Sequence, residues 1–249
     1  MIEFQNVSKQ YGNKKALDHL NLKIKDGEIF GFLGHNGAGK STTIKSLVSV
    51  IEPTEGQILI NDQKLQIHRQ VLKKKIGYVP DTPDLFLQLS ASEYWDLIGA
   101  AFELSAETKN ERLKKLLDLF ELTDKQDETI SSFSHGMRQK AIVIGALLSD
   151  PDIWILDEPM QGLDPQAAHD LKQLMKEHAQ KGKTVVFSTH DLATAQQLCD
   201  ELAILKKGKL IYNGTLEDLM AQYPGESLED IYLGMAGRKA QLEEGETGE

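Results

Sequence analysis

The most informative part of this 249-residue chain is Gly34-His35-Asn36-Gly37-Ala38-Gly39-Lys40-Ser41. It lies between the apolar run Ile29–Leu33, which predicts a strand, and a helical stretch from Lys40 to about Ile51. Glycines let backbone N–H groups turn toward phosphate oxygens, and the N-terminus of the following helix adds a partial positive charge. A flexible loop with an ordinary surface lysine is the alternative, but this context favours a nucleotide site. In that site Lys40 reaches the terminal phosphates and the Ser41 hydroxyl holds Mg²⁺.

The rest of the chain alternates strand and helix patterns, which is typical of an α/β fold. The apolar runs 153–156 and 184–187 predict strands buried on both faces, as in a parallel sheet, and a helix is predicted over Pro165–Gln180 between them. Residues 84–129 instead predict a helical segment inserted into this frame. Their apolar face is formed at helical spacing by Leu113, Leu116, Leu117 and Phe120.

Short alternating segments predict further strands toward both ends of the chain. At the beginning these are residues 2–4 and 20–24, and after a predicted helix over 192–199 the segments 203–205 and 210–212 predict a hairpin. Residues after Gly234 are rich in glycine and glutamate, and we expect them to fray.

Composition limits the classes of function. The net charge of −10 disfavours a general nucleic-acid binder, although much of the acidic excess lies in residues 226–249. The single cysteine, Cys199, cannot form an internal disulfide, which fits a reducing compartment. The first residues lack the features of a secretory signal, and the longest apolar run is far shorter than the ~20 residues that span a bilayer. We therefore expect any membrane role to come through a partner.

Polar side chains follow the two buried strands at their carboxyl ends, where a parallel sheet forms its ligand crevice. Asp157 there is predicted to bind Mg²⁺, directly or through water. Glu158 is predicted to be a general base that acts on water. His190 predicts a hydrogen bond to a γ-phosphate or to the attacking water. The alternatives are two carboxylates that merely end a strand in solvent and a histidine that is an ordinary loop residue.

The segment Ser134-His135-Gly136-Met137-Arg138-Gln139 resembles the signature motif of the ATP-binding subunits of ABC transporters. It lies after the helical segment and before Asp157, which is the order in that family. The resemblance covers Met1 to about Leu219. It implies a P-loop NTPase fold of ABC type: a mostly parallel core sheet flanked by helices, an N-terminal antiparallel β-subdomain and an inserted helical subdomain over approximately residues 84–130. It also implies an ATPase domain over 1–219 and a C-terminal extension over 220–249 with an acidic, flexible tail.

The resemblance also assigns roles to single residues. Glu158, His190 and Lys40 are implied in catalysis, and Ser41, Asp157 and Asp81 in binding Mg²⁺. Asp164 lies in the loop that crosses the interface of the dimer, and Tyr11 stacks on adenine, unless it is a core tyrosine at a strand edge. The residues implied in binding ATP are Tyr11, Gly34, His35, Asn36, Gly37, Ala38, Gly39, Lys40, Ser41, Thr42, Ser134, Gly136 and Asp164.

The sequence departs from the family pattern at two places. Asp81 stands where the family usually has glutamine, so that its shorter side chain reaches the metal or the attacking water only through water. In the signature, His135 replaces the first glycine and Phe133 replaces a leucine. Ser134 remains and predicts a cap for the following helix.

The function implied is ATP hydrolysis that drives transport, with two copies enclosing two ATP molecules head-to-tail and an integral membrane permease as partner. The subunit would be cytoplasmic, at the inner face of the membrane. Three features resemble bacterial ABC-2-type exporter ATPases, so we expect export: the proline and acid at residues 80–81, the signature residues 136–139 and the segment 227–232. Leu85, Phe86, Leu87 and Leu89 would contact the permease, or they are internal core.

Three alternative functions remain. The first is an importer ATPase of the same fold. The second is a soluble ABC-type ATPase of nucleic-acid repair or translation, which usually carries tandem cassettes, long coiled-coil insertions or zinc cysteines that this chain lacks. The third is a P-loop kinase, which should lack the signature and His190.

Overall fold

The computed structural model describes residues 1–84 and 86–236. The strands are β1 (Ile2–Tyr11), β2 (Lys14–Ile24), β3 (Ile29–Leu33), β4 (Glu55–Ile60), β5 (Gln63–Lys64), β6 (Ile76–Val79), β7 (Ile153–Asp157), β8 (Thr184–Thr189), β9 (Glu201–Lys206) and β10 (Lys209–Gly214). The α-helices are α1 (Lys40–Leu47), α2 (Arg69–Lys73), α3 (Ala91–Ala101), α4 (Ala106–Phe120), α5 (His135–Leu148), α6 (Pro165–Gln180), α7 (Leu192–Leu198), α8 (Leu216–Gln222) and α9 (Leu228–Ala236). Short 3₁₀ turns lie at Thr123–Lys125 and Ile130–Ser132.

The central sheet has the order β10-β9-β3-β8-β7-β6. All neighbouring strands in it are parallel except β10, which returns antiparallel to β9. Every residue of β3, β7 and β8 is buried, as expected of parallel strands covered on both faces. Because these strands are parallel, their last residues, Leu33, Asp157 and Thr189, lie at one edge of the sheet. The predicted α/β fold with a mostly parallel core sheet is confirmed.

A second sheet, of order β2-β1-β4-β5, is antiparallel throughout and is built mostly from the N-terminal part of the chain. Buried side chains of β1 and β2, such as Phe4 and Leu20, pack in one apolar cluster with Phe32 of the central sheet. The turn at Gly12 and Asn13 joins two strands that are much longer than the predicted segments 2–4 and 20–24. Shifts of register along β1 interrupt its alternating pattern, which explains why the sequence showed only short pieces.

The predicted boundary of the first helix was wrong. The helix ends at Leu47 rather than near Ile51, because Ser49 adopts a left-handed backbone conformation with a φ of 56°. The N–H groups of Val50 and Ile51 both bond to the carbonyl of Lys45 and close a turn there.

Helices α3 and α4 lie within residues 84–130 and pack against α5. Ser90 and Glu93 form a capping box that fixes the start of α3. Trp95 is fully buried and donates its indole N–H to the carbonyl of Ala141 in α5, at 3.0 Å. Tyr94 fills the space above Gly145, where a Cβ would lie 2.5 Å from the tyrosine oxygen. These contacts attach the helical segment to α5, the helix that begins within residues 134–139.

Helices α8 and α9 were not predicted from the sequence. Leu228, Ile231 and Tyr232 of α9 are buried against Leu33 and Ile204 of the central sheet. The acidic tail beyond α9 lies outside the described residues. No helix in the ranges 1–84 and 86–236 is long and apolar enough to cross a membrane.

His178 of α6 is only 5% exposed and packs against Trp154 of β7, with ring centroids 5.5 Å apart. Its Nε2 is buried and has no hydrogen-bond partner among the described residues. Burial and the charge of Lys183 lower the pKa of His178 to about 4, although Asp150 opposes the shift. The imidazole is therefore neutral in the folded chain at neutral pH.

We expect the folded chain to lose stability as the pH falls from about 6.5 toward 4. In that range the unfolded chain takes up a proton at His178 and the folded chain does not, which contributes at most about 1.4 kcal/mol per pH unit. Urea unfolding at several pH values should show a weaker pH dependence for His178→Phe. His169→Phe, on the exposed side of the same helix, is the matched control. The same pH dependence in His178→Phe and the wild type would contradict this account.

Candidate nucleotide site

The loop between β3 and α1 depends on glycine at three positions. Gly37 and Gly39 have φ angles of 81° and 116°, which side-chain-bearing residues rarely adopt. A Cβ on Gly34 would lie 2.8 Å from both the Ala38 Cβ and the Leu205 carbonyl oxygen. The N–H of Ala38 donates to the His35 carbonyl at 3.0 Å and closes the turn. The loop therefore curves around the N-terminus of α1, as an anion-binding loop requires.

A cavity of about 470 Å³ opens in front of this loop. Tyr11, which is 48% exposed, lies at its wall, with the Lys9 ammonium 5.2 Å from the ring centroid. The predicted site residues that line the cavity are Tyr11, His35, Asn36, Gly37, Gly39, Lys40, Ser41, Thr42, Asp81 and Glu158. Gly34 and the buried Ala38 do not line the cavity and lie against each other on the opposite side of the loop.

Lys40, Glu158 and His190 form a chain of polar contacts at the sheet edge. The Lys40 ammonium is 5% exposed, donates to the Gly34 carbonyl at 2.5 Å and lies 3.0 Å from Glu158 Oε1. The other oxygen of Glu158 lies 2.9 Å from Nδ1 of His190. Glu158 has a φ of 49°, an unusual conformation for its residue type that turns the chain directly after β7. One carboxylate thus connects the ammonium with the histidine.

Asp157, the last residue of β7, is fully buried. Its Oδ1 accepts hydrogen bonds from Ser41 Oγ, at 3.2 Å, and from Ser188 Oγ, whereas Oδ2 has no partner among the described residues. Burial raises the pKa of Asp157 above its ordinary value, and the two serine hydroxyls partly offset this shift. A buried carboxylate oxygen beside a serine hydroxyl is a donor set suited to Mg²⁺ when phosphates supply further ligands.

Asp81 faces the same cavity after β6. Its carboxylate lies 3.7 Å from the Lys45 ammonium, and its negative charge contributes to the raised pKa of Asp157. No group of three His, Cys, Asp or Glu side chains within 1–84 and 86–236 could hold a metal by itself.

The signature residues lie elsewhere. Ser134 caps α5 by accepting the Met137 N–H at 3.3 Å. A Cβ on Gly136 would lie 2.5 Å from the Gly162 carbonyl oxygen, so the start of α5 packs closely on the loop that leads to Asp164. None of these residues is among those that line the nucleotide cavity in the described part of the chain.

Asp164 caps α6 by accepting the Ala167 N–H at 2.8 Å and lies 3.1 Å from the Lys140 ammonium. These two contacts lower the pKa of Asp164. It lines a different cavity, between α4 and α6.

Sequence analysis missed several residues at the site. Ser188 donates to Asp157 and accepts the N–H of Glu158 at 2.9 Å. Pairing the two parallel strands in register would have indicated it, since Asp157 lies opposite Ser188. The other missed residues line the cavity, without a motif of their own, and are Lys14, Ala16, Thr82 and Gln161.

The apolar residues expected near the helical segment separate into different environments. Leu87 and Leu89 are partly buried and pack on the helical core, whereas Phe86 is 45% exposed and stacks on Tyr94 at 5.3 Å. Leu85 lies outside the described residues.

Comparison with known proteins identifies the family. The family model described as ABC transporter matches residues 17–161. The ABC-type transporter ATP-binding protein EcsA of Bacillus subtilis is 34% identical over 235 residues, which cover 94% of this chain and 95% of that protein. The Nod factor export ATP-binding protein I of Cupriavidus metallidurans is 33% identical over 93% of this chain and 77% of its own length.

Solved structures give the same result. The structure of an ATP-binding subunit of an ABC transporter has a TM-score of 0.89 and 36% identity, and covers 94% of this chain and 99% of that one. A dimeric ATP-binding cassette in a post-hydrolysis state, bound to ADP and Pi, has a TM-score of 0.78 and 28% identity, over 87% of this chain and 99% of that one. The chain therefore belongs to the ABC transporter family, as an ATP-binding subunit that hydrolyses ATP.

Proposed function

We propose that this ATPase powers export through an integral membrane permease and that two copies enclose two ATP molecules. The observation that carries the proposal is the division of the site. Lys40, Ser41 and Glu158 surround one cavity, whereas Ser134 and Gly136 lie outside it. A second copy placed head-to-tail supplies the missing signature residues to each nucleotide. The related dimeric cassette with ADP and Pi supports this arrangement.

In this proposal the loop holds the triphosphate by its backbone N–H groups and by the Lys40 ammonium, and Tyr11 stacks on the base. Ser41 and Asp157 hold Mg²⁺, which neutralises phosphate charge and orients the terminal phosphate. The buried Oδ2 of Asp157, which lacks a protein partner among the described residues, supports this assignment. Asp81 acts through water, since its carboxylate is engaged by Lys45.

Glu158 is the base that takes a proton from the attacking water. Its Oε1 lies 3.0 Å from the Lys40 ammonium, and its Oε2 lies 2.9 Å from Nδ1 of His190. A phosphate that binds Lys40 replaces one of these contacts and leaves a carboxylate oxygen for the water. His190 keeps the other oxygen in place and orients Glu158. Binding of nucleotide at the Lys40 ammonium therefore determines whether Glu158 has a carboxylate oxygen available for the attacking water.

The permease docks, in this proposal, on an apolar groove of about 290 Å³ between β6 and α3. Ile98, Phe102 and the 60% exposed Val50 line it together with Tyr94. Tyr94 also stacks on the exposed Phe86, so that the apolar surface continues from the groove to the segment after Asp81. The chain is then held in the cytoplasm, at the inner face of the membrane, by its partner.

Export rather than import is supported by the relatives whose names include Nod factor export. The charge of −10 disfavours the nucleic-acid alternative. Fluorescence anisotropy with single- and double-stranded nucleic acid tests that alternative. Mass spectrometry of the co-purified membrane protein identifies the permease and thereby tests the direction of transport.

Replacement of Lys40 by alanine should weaken binding of ATP at least about tenfold, because a buried charge-assisted contact to phosphate is lost. Isothermal titration calorimetry measures this. Lys23→Ala removes an exposed lysine of the N-terminal sheet and serves as the control. Unchanged affinity in Lys40→Ala would disprove the assignment of the phosphate loop.

Glu158→Gln should still bind ATP but hydrolyse it at least about a hundredfold more slowly, because the amide cannot take the proton. With ATP and Mg²⁺ this variant should run as a dimer in gel filtration. Glu111→Gln, an exposed change on α4, should hydrolyse ATP like the wild type. If Glu158→Gln with ATP remains monomeric, the two-copy arrangement is wrong.

Phe86→Asp should reduce co-purification of the permease with the subunit and leave affinity for ATP unchanged. Phe86 has a φ of 55°, a conformation that aspartate tolerates, so the backbone should be unaffected. Leu97→Asp changes a side chain that is equally exposed, at 46%. Neither Leu97 nor Phe86 lines the groove itself, but Phe86 stacks on Tyr94, which does. Equal loss of the permease in both variants would argue against docking at Phe86.

A further inference from the structure

The phosphate loop is supported from behind by parts of the chain that follow residue 161, where the match to the family model ends. The N–H of Gly208, in the turn between β9 and β10, donates to the Ala38 carbonyl at 2.8 Å. Gly34 lies against the Leu205 carbonyl so closely that no side chain fits between them. The β9–β10 hairpin therefore holds both ends of the loop.

The middle of the loop is held by α9. The ring of Tyr232 meets the ring of His35 edge-on, with centroids 4.9 Å apart and an angle of 62° between the planes. Tyr232 is 6% exposed, and its neighbours Leu228 and Ile231 anchor the helix in the apolar cluster with Leu33. The Lys206 ammonium donates to the Met235 carbonyl at 3.0 Å and fastens the end of the helix to β9.

The contact to His35 matters because the loop is rich in glycine and must be kept in one conformation. The His35 carbonyl accepts the Ala38 N–H, which closes the turn that directs N–H groups toward phosphate. Glycines lose much conformational freedom when they are ordered, so ordering the loop during binding would weaken the affinity. A cavity of about 210 Å³, lined by His35, Tyr232 and Ile211, lies behind the loop and gives it room to move if the ring is removed.

We propose that Tyr232 is a positioning residue for nucleotide binding: through its edge-on contact with His35 it holds the phosphate loop in the conformation that receives ATP. Helix α9 is then a functional part of the nucleotide site rather than a passive extension. A movement of α9 away from the loop lowers the affinity of the subunit for nucleotide. The inference rests on nucleotide binding at this loop, which the wild-type chain tests separately.

The test compares the affinity for ADP, measured by isothermal titration calorimetry on the full chain, in four proteins. Tyr232→Ala should bind ADP about two- to tenfold more weakly than the wild type, the range that the energy of one aromatic pair corresponds to. Tyr232→Phe keeps the ring and should bind like the wild type. Met175→Ala removes a buried side chain of α6, in a different apolar cluster from α9, and should lower the melting temperature but keep the affinity.

Steady-state kinetics separate positioning from a general loss of structure. In Tyr232→Ala the KM for ATP should rise by a similar factor while kcat changes little, because Glu158 and His190 are untouched. A double-mutant cycle with His35→Ala should show non-additive losses, because both single changes remove the same contact.

Four results would overturn the inference. These are wild-type affinity in Tyr232→Ala, a Tyr232→Phe variant as weak as Tyr232→Ala, a Met175→Ala variant that binds as weakly as Tyr232→Ala, and additive losses in the double-mutant cycle. If the wild type itself does not bind ADP, the nucleotide site and not the role of α9 is refuted.

Discussion

The site is organised around the buried ammonium of Lys40, which requires an anion beside it. A lysine that is 5% exposed cannot remain charged alone without a large cost, and in this structure Glu158 supplies the negative charge. In the proposed function Glu158 is also the base, so that one carboxylate both balances the charge of Lys40 and acts on water. Through this charge balance, binding of phosphate at Lys40 affects the carboxylate that is proposed to act on water.

The parallel sheet brings these charged side chains together. The strands β3, β7 and β8 are buried on both faces and end at one edge, so that the residues just beyond them meet in space. Lys40, Glu158 and His190 come from three distant parts of the chain, and hydrogen bonds such as that from Ser188 to Asp157 fix the spacing of their strands. The edge of the sheet thereby brings these three side chains together.

Strong local signals explain what could be predicted from sequence. The glycine pattern around Gly37 and the apolar run before Asp157 can each be recognised from neighbouring residues alone, so the core sheet was predictable. The bulged strand β1 was underestimated, since bulges break alternation. The role of α9 was not predictable, because the contact between His35 and Tyr232 joins segments nearly 200 residues apart, and neither side chain belongs to a recognisable pair. Such contacts form when distant segments pack together in the folded chain, so a short stretch of sequence does not indicate them.

His135 illustrates how packing accommodates a departure from the family pattern. The signature of this family usually has a glycine there, and a histidine needs room at the crowded start of α5. That room comes from Gly162, where an added Cβ would collide with the His135 ring. Gly162 also needs a φ of 73°, so one glycine both turns the loop toward Asp164 and accommodates the larger side chain. Ser134 remains free to cap α5 through Met137, and the N-terminus of the signature helix keeps the geometry with which it can face a phosphate.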